Sequence, residues 1–118
     1  MHFEINSRTV DDRTAVVAPV GEVDLHTAPE IKRRIAELSD QGYTQIVVDL
    51  SRINYLDSTG LGVLVGALKR LREKDGELRL VHPTPRVMRV LEITRLVNVF
   101  QIFDSEEAAL SSLTGRGA

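Results

Sequence analysis

The fold is decided by residues 46–74, which read IVVDLSRINYLDSTGLGVLVGALKRLREK. Residues 46–50 are rich in β-branched side chains and lack polar alternation, which is typical of a central strand covered on both faces. After a polar link over residues 51–56, an amphipathic helix is predicted to begin near Ser58. A serine hydroxyl would then lie at a helix N-terminus, where unpaired N–H groups and the helix dipole favour a phosphate.

The composition of the chain narrows the classes of function. Its 118 residues suffice for one domain with a hydrophobic core, and a net charge of −2 gives no electrostatic reason to bind nucleic acid. The lack of cysteine excludes disulfides, thiolate zinc sites and thiol nucleophiles. No apolar run reaches the roughly 18 residues of a spanning helix, and the N-terminus lacks a signal-peptide pattern. We therefore expect a cytoplasmic protein with no membrane partner.

Upstream of residues 46–74, the sequence predicts a hairpin followed by a loop. The hairpin covers residues 3–20, and Pro19 indicates that its strand is at an edge or is ending, because proline cannot donate a ladder hydrogen bond. Residues 21–26 are predicted as a loop that carries the carboxylates of Glu22 and Asp24.

A first helix is predicted to begin at Thr27. Glu30 stands three residues later, as a capping box requires, and Gly42 is a typical helix stop. The apolar residues between them recur at helical spacing on one side, which predicts a helix packed on the core.

Downstream of residues 46–74, strands and helices alternate. A strand over residues 77–81 precedes a helix that begins at Thr84, and a short strand over residues 99–103 precedes a helix capped by Ser105. Residues 114–118 are predicted to be a frayed tail.

The predicted order is β-β-α-β-α-β-α-β-α within a single domain of residues 1–113. This is an α/β class with a mixed, mostly parallel sheet and covering helices. Ligand and partner sites in such sheets gather at the C-terminal ends of the parallel strands. Asp57 and Ser58 lie just beyond one of those ends, so we expect the functional site there.

Signals for enzyme chemistry are weak. Ser58 is outside a Gly-x-Ser-x-Gly elbow, and the three histidines, His2, His26 and His82, lie in a predicted N-terminal strand and two loops. These histidines lack the spacing of a metal site, and the chain has neither a Walker loop nor a Gly-x-Gly-x-x-Gly motif. We therefore predict no catalytic residue, no metal and no cofactor.

A phosphoacceptor aspartate of the response-regulator kind is the stronger enzyme-like alternative. Asp11, Asp12 and Asp57 supply the carboxylates of such a site. However, the acidic pair falls in a hairpin turn with no crossover helix after it, and residues 99–103 contain no lysine to neutralise an acyl phosphate.

Helix capping is the simplest interpretation of Asp57, Ser58 and Thr59. All three residue types are common N-caps, and such a cap is worth about 1 kcal/mol. A structural role for this trio therefore remains open beside the functional one.

The outer side of the helix that follows Ser58 is unusual in its small residues. Gly62 and Gly66 lie one turn apart beside Val63, and each interior glycine costs about 1 kcal/mol relative to alanine. The pattern predicts close approach by another surface, either a partner protein or a helix of the same chain.

Residues 57–64, DSTGLGVL, resemble the signature of the bacterial anti-sigma factor antagonists, which are single-domain proteins of the STAS family. The stretch from Gly21 to Asp24, the helix start at Thr27 and the strand over residues 46–50 match the same family. The resemblance covers nearly the whole chain and implies the STAS fold.

The resemblance also implies a transcriptional switch of the kind used in stress response or sporulation. The unmodified protein would bind an anti-sigma factor that is a serine kinase, so that the sigma factor is released. The kinase would phosphorylate Ser58 with ATP, and a metal-dependent serine phosphatase would reverse this. An alternative is an unphosphorylated regulatory subunit of a transport system. The partner-binding candidates are Glu22, Asp24, Asp57, Thr59, Gly62, Val63 and Gly66.

Overall fold

A computed structural model describes residues 2–114. Within them, six strands, four α-helices and one 3₁₀ turn follow one another. In chain order they are β1 (Glu4–Thr9), β2 (Thr14–Val23), α1 (Ala28–Asp40), β3 (Gln45–Asp49), β4 (Ile53–Leu56), α2 (Ser58–Glu73), β5 (Glu77–Val81), α3 (Pro85–Ile93), the 3₁₀ turn Leu96–Asn98, β6 (Gln101–Phe103) and α4 (Glu106–Thr114).

The sheet is mixed and mostly parallel, as predicted. Its strands lie in the order β1-β2-β3-β5-β6, and β4 pairs with β2 beside this path. Only the β1–β2 hairpin is antiparallel among the described pairs, while β2–β3, β2–β4, β3–β5 and β5–β6 are parallel. Consequently β2, β3, β4 and β5 all direct their C-terminal ends toward one edge of the sheet.

Apolar side chains fill both faces of the sheet. The larger core joins the sheet to α1, α2 and α3, and its fully buried members include Ile31, Leu68 and Leu91. On the other face α4 packs Ala109 and Leu113 over three valines of β2, β3 and β5, namely Val16, Val47 and Val81. Burial on both faces explains why β3 is apolar without alternation.

The sequence prediction missed one strand and shortened another. Residues 51–56 were predicted as a link and residues 21–26 as a loop, but β4 occupies 53–56 and pairs with the last three residues of β2. Pro19 lies between the part of β2 that pairs with β3 and the part that pairs with β4, so it marks a change of partner. Among the described pairs Pro19 faces only Ile5 of β1, so the predicted edge at this position is confirmed, whereas the alternative that the strand ends there was wrong.

A bulge allows β2 to continue past Pro19. The register with β4 shifts between Gly21 and Glu22, and Gly21 has a φ of +120°, a backbone conformation that favours glycine. A Cβ on Gly21 would also lie 2.8 Å from the His2 carbonyl oxygen. The glycine that suggested a loop in the sequence therefore permits an irregular strand.

Smaller differences occur toward the C-terminus. The last strand begins at Gln101 instead of residue 99, because residues 96–98 form the 3₁₀ turn. The predicted caps of α3 and α4 are confirmed, since the Thr84 and Ser105 hydroxyls accept hydrogen bonds from the N–H groups of Val87 and Ala108. Thr114 ends α4, and the remainder of the predicted tail lies outside the described residues.

Candidate functional site

The ends of β2 and β4 bring the two predicted acidic segments together. Val23 and Leu56 are the last paired residues of the two strands, and the Asp57 N–H donates to the Val23 carbonyl over 3.2 Å. Asp24 and Asp57 are the next residues on each chain segment. The two segments therefore meet at the C-terminal edge of the sheet.

Asp57 caps α2. Its backbone is extended, with φ −105° and ψ −174°, and its Oδ1 accepts a hydrogen bond from the Gly60 N–H over 3.1 Å. Its carbonyl accepts the N–H of Leu61 over 3.0 Å. The Asp57 side chain thus satisfies one of the four N–H groups that a helix start leaves unpaired, and its carbonyl accepts the first intrahelical hydrogen bond.

Gly60 allows α2 to begin directly on the strand ends. It is buried, and a Cβ at this position would lie 2.5 Å from Leu56 Cδ1 and 2.7 Å from Val23 Cγ1. Any larger residue would push the helix start away from the sheet. The sequence showed a glycine in the first turn, but only the packing gives it this role.

Ser58 is the first residue of α2 and is exposed to solvent. Among the described residues, none hydrogen-bonds to its hydroxyl, and none accepts the backbone N–H of Ser58 or of the half-buried Thr59. The serine hydroxyl is therefore free to be modified, and two unpaired N–H donors lie beside it.

The loop before α1 is built around Asp24 and differs from the predicted capping box. Thr27 has helical backbone angles, and its hydroxyl donates to the Glu22 carbonyl over 2.7 Å instead of capping the helix. The Asp24 Oδ1 accepts the N–H groups of His26 and Thr27 over 2.9 and 3.1 Å. The capping box of Thr27 and Glu30 was wrong, because the Asp24 carboxylate takes the Thr27 N–H and the Glu30 N–H donates to the Thr27 carbonyl over 3.0 Å.

These hydrogen bonds also set the protonation of Asp24. The N–H of His26 is the largest cause that lowers the pKa of Asp24, and the backbone and hydroxyl of Thr27 add to it. The carboxylate is therefore held in its charged form beside Ser58. Glu22, one position before the last paired residue, is half-buried.

The small-residue side of α2 is open. A Cβ on Gly62 would meet nothing within 4 Å, and one on Gly66 would meet only the guanidinium of Arg70, at 3.3 Å or more. Packing of these glycines against another helix of the same chain, the alternative considered above, is therefore wrong. Val63 is half-buried against the core beside them.

The enzyme alternatives do not assemble at this edge. Asp11 and Asp12 lie in the hairpin turn before Thr14, at the opposite end of β2 from Asp57. The Arg13 N–H is the main cause of the lowered pKa of Asp11, which fits a turn. Across the described residues, no group of three His, Asp or Glu side chains could hold a metal, and no helix is long and apolar enough to cross a membrane.

The comparison with known families agrees with the sheet topology. The family model described as the STAS domain matches residues 6–109. The chain belongs to the STAS family. The anti-sigma-B factor antagonist of Listeria monocytogenes is 39% identical to this STAS domain over 104 residues, which cover 88% of the chain and 90% of the relative.

Solved structures place the domain among the anti-sigma factor antagonists. The antagonist from Mycobacterium paratuberculosis has a TM-score of 0.84 at 26% identity and covers 95% of this chain and 94% of its own. Unphosphorylated SpoIIAA has a TM-score of 0.82 at 27% identity over 98% of both chains. The phosphorylated form of SpoIIAA, from Bacillus, has a TM-score of 0.70 at 25% identity over 89% of this chain and 96% of its own.

These relatives make the STAS domain a member of a group of regulatory binding proteins, not of enzymes. The predicted family and fold are therefore confirmed. Two exposed apolar residues on the strand ends of β2 and β4, Leu25 and Tyr55, were not predicted from the sequence. Leu25 could have been noticed, because it stands alone between Asp24 and His26.

Proposed function

We propose that this STAS domain is a phosphorylation switch that acts on an anti-sigma factor. In its unphosphorylated form it binds an anti-sigma factor that is a serine kinase, and the sigma factor is released into the cytoplasm. Phosphorylation of Ser58 ends the binding, and a metal-dependent serine phosphatase restores it. The exposed, unpartnered hydroxyl of Ser58 at the first position of α2 carries this proposal. The existence of SpoIIAA in both phosphorylation states supports it.

The domain itself can accept the phosphate without refolding. A phosphate adds about −1.5 to −2 charges and three acceptor oxygens. The unpaired N–H groups of Ser58 and Thr59 and the positive end of the α2 dipole face those oxygens. The N–H groups of Gly60 and Leu61 already donate to Asp57 and are not needed for the phosphate.

A docked partner would lose affinity for steric and electrostatic reasons. The phosphate adds bulk where the partner surface is in contact, and docking removes the water that screens it from the carboxylates of Asp24 and Asp57. A 100-fold loss of affinity requires only about 2.7 kcal/mol. We place the partner surface on the two strand ends and the open side of α2, at Glu22, Asp24, Asp57, Thr59, Gly62, Val63 and Gly66.

The test is incubation of the purified domain with each serine-kinase anti-sigma factor of its host and ATP, followed by mapping of the phosphosite by mass spectrometry. We expect one phosphate, on Ser58. Ser58→Ala should take none and still bind the kinase, whereas the matched control Thr59→Ala should be modified like the wild type. The phosphate should resist hydroxylamine, which cleaves an aspartyl phosphate.

A different result would change the assignment. Phosphate on Thr59 in the wild type would move the switch by one residue. Failure of every host serine kinase to bind or modify the domain would contradict the proposal and favour a regulatory subunit of a transport system.

A further inference from the structure

Two of the exposed apolar residues lie on the strand ends that lead to Ser58. Leu25 is 66% exposed and Tyr55 is 43% exposed, whereas most large apolar residues of the described chain are buried or half-buried. The other exposed ones are Val10 in the hairpin turn, Ile93 at the end of α3 and Val99 after the 3₁₀ turn. A single exposed apolar residue is ordinary on a protein surface. Leu25 and Tyr55 are notable because of their positions in the sheet.

The strand register places both residues at the edge that carries Ser58. Tyr55 pairs with Glu22, and Val23 pairs with Leu56. Leu25 and Ser58 each lie two residues beyond that last pair. An apolar side chain therefore stands on each of the two strand ends around the serine.

Both residues have a backbone fixed by hydrogen bonds, although neither side chain contributes to the core. Tyr55 is fixed by the β2–β4 ladder. Leu25 lies in a turn in which Asp24 accepts N–H groups of the next residues, and the Ala28 N–H donates to the Asp24 carbonyl over 2.8 Å. Residues whose backbone is already ordered lose less conformational entropy when a partner covers them.

We infer that Leu25 and Tyr55 are the apolar anchors that hold the anti-sigma factor beside Ser58, an inference that rests on the proposed function. The partner then offers an apolar pocket for both side chains and positive charges opposite Glu22 and Asp24. The charge follows from the strand end before α1, because residues 22–27 carry two carboxylates and no lysine or arginine, while on β4 the Arg86 guanidinium donates to the Asn54 carbonyl over 3.5 Å. Buried aromatic anchors commonly dominate such interfaces.

This arrangement also gives a reason why phosphorylation of Ser58 would cause a large loss of affinity. A phosphate on Ser58 would have to enter a contact from which Leu25 and Tyr55 exclude water. Burying an ionised group without water or a charged partner costs free energy. The complex therefore cannot keep both anchors buried and also contain the phosphate.

The test compares Leu25→Ser and Tyr55→Thr with Ile93→Ser, a control that removes a still more exposed apolar side chain, 74% exposed, from another part of the surface. Threonine preserves the strand preference at residue 55. We expect the Kd for the serine-kinase anti-sigma factor to rise about 30-fold for each anchor variant, and to change less than about threefold for Ile93→Ser. The KM for phosphorylation of Ser58 should rise with kcat unchanged.

The proposed anchors and the proposed switch can be disproved separately. If the wild type binds and Ser58→Asp weakens binding while both anchor variants bind within about threefold of wild type, the anchors are wrong and the switch stands. If Ile93→Ser loses as much affinity as they do, the effect is not specific to this edge and the inference also falls. If the wild type neither binds nor is modified, the switch and the anchors fall together. Should Tyr55→Thr unfold, Leu25→Ser decides, because its side chain is mostly in solvent.

Discussion

Alanine at Gly60 tests how tightly the start of α2 is packed on the strand ends. The new Cβ would lie 2.5 Å from Leu56 Cδ1 and 2.7 Å from Val23 Cγ1, and both of those residues are buried. Carbon atoms in contact normally lie about 3.5–4.0 Å apart, so the helix or the strands must shift by about 1 Å. Overpacking of this kind costs about 1–3 kcal/mol, and the better helix propensity of alanine offsets at most about 1 kcal/mol. We expect Gly60→Ala to lower the free energy of unfolding by about 1–2 kcal/mol.

Gly62→Ala is the matched control two residues further along the same helix. Its Cβ would meet nothing within 4 Å, so only the propensity gain remains and the free energy of unfolding should rise by up to about 1 kcal/mol. Urea unfolding followed by far-UV circular dichroism, with equal m-values, measures both changes. A Gly60→Ala midpoint equal to that of the wild type would refute the packing argument. Equal losses at both positions would mean that Gly62 is packed inside the domain.

Three further predictions concern the switch, the open helix side and the acidic loop. Ser58→Asp should weaken binding of the anti-sigma factor in calorimetric titration and leave the Tm within a few degrees of wild type; unchanged binding would show that one added carboxylate does not block docking. Gly66→Leu should reduce that binding more than it lowers the Tm, and unfolding instead would show that this side of α2 is internal. The lowered folded-state pKa of Asp24 means that its charge stabilises the fold above the ordinary pKa of 3.8, and that this stability is lost as the pH falls through the folded-state value. Asp24→Asn should therefore make the free energy of unfolding depend less on pH between about pH 2 and 6. An unchanged pH dependence would contradict the role of the His26 N–H.

Local signals predicted most helix starts because capping is decided within a few residues. Asp57, Thr84 and Ser105 all cap as their sequence positions suggested. Thr27 did not, because its hydroxyl donates to the Glu22 carbonyl and accepts the Asp24 N–H, both of which lie outside the capping-box pattern. Conflicts of this kind depend on the path of the chain before the helix, which a short motif does not contain.

Strand β4, which was not predicted, shows where local sequence signals fail. Pro19 and Gly21 interrupt strands in most settings, but here they lie where β2 exchanges β3 for β4 as its neighbour. A four-residue strand such as β4 has little pattern of its own, and its pairing is fixed by a partner some thirty residues earlier in the chain. The place of Asp57 and Ser58 could still be predicted, because the C-terminal ends of parallel strands share an edge. The packing of Gly60 on Val23 and Leu56 needed that pairing to be known.

The distribution of N–H donors at the start of α2 explains how one site can be both a cap and a switch. Asp57 binds the N–H groups of Gly60 and Leu61, so the helix start is stabilised whether or not Ser58 carries a phosphate. The N–H groups of Ser58 and Thr59 remain unpaired at the helix start and are available to a phosphate on Ser58. Since the two sets of donors do not overlap, the proposed modification need not disturb the cap. Its effect would then fall on the surface that the partner must cover, which is why we expect Ser58 variants to change affinity far more than stability.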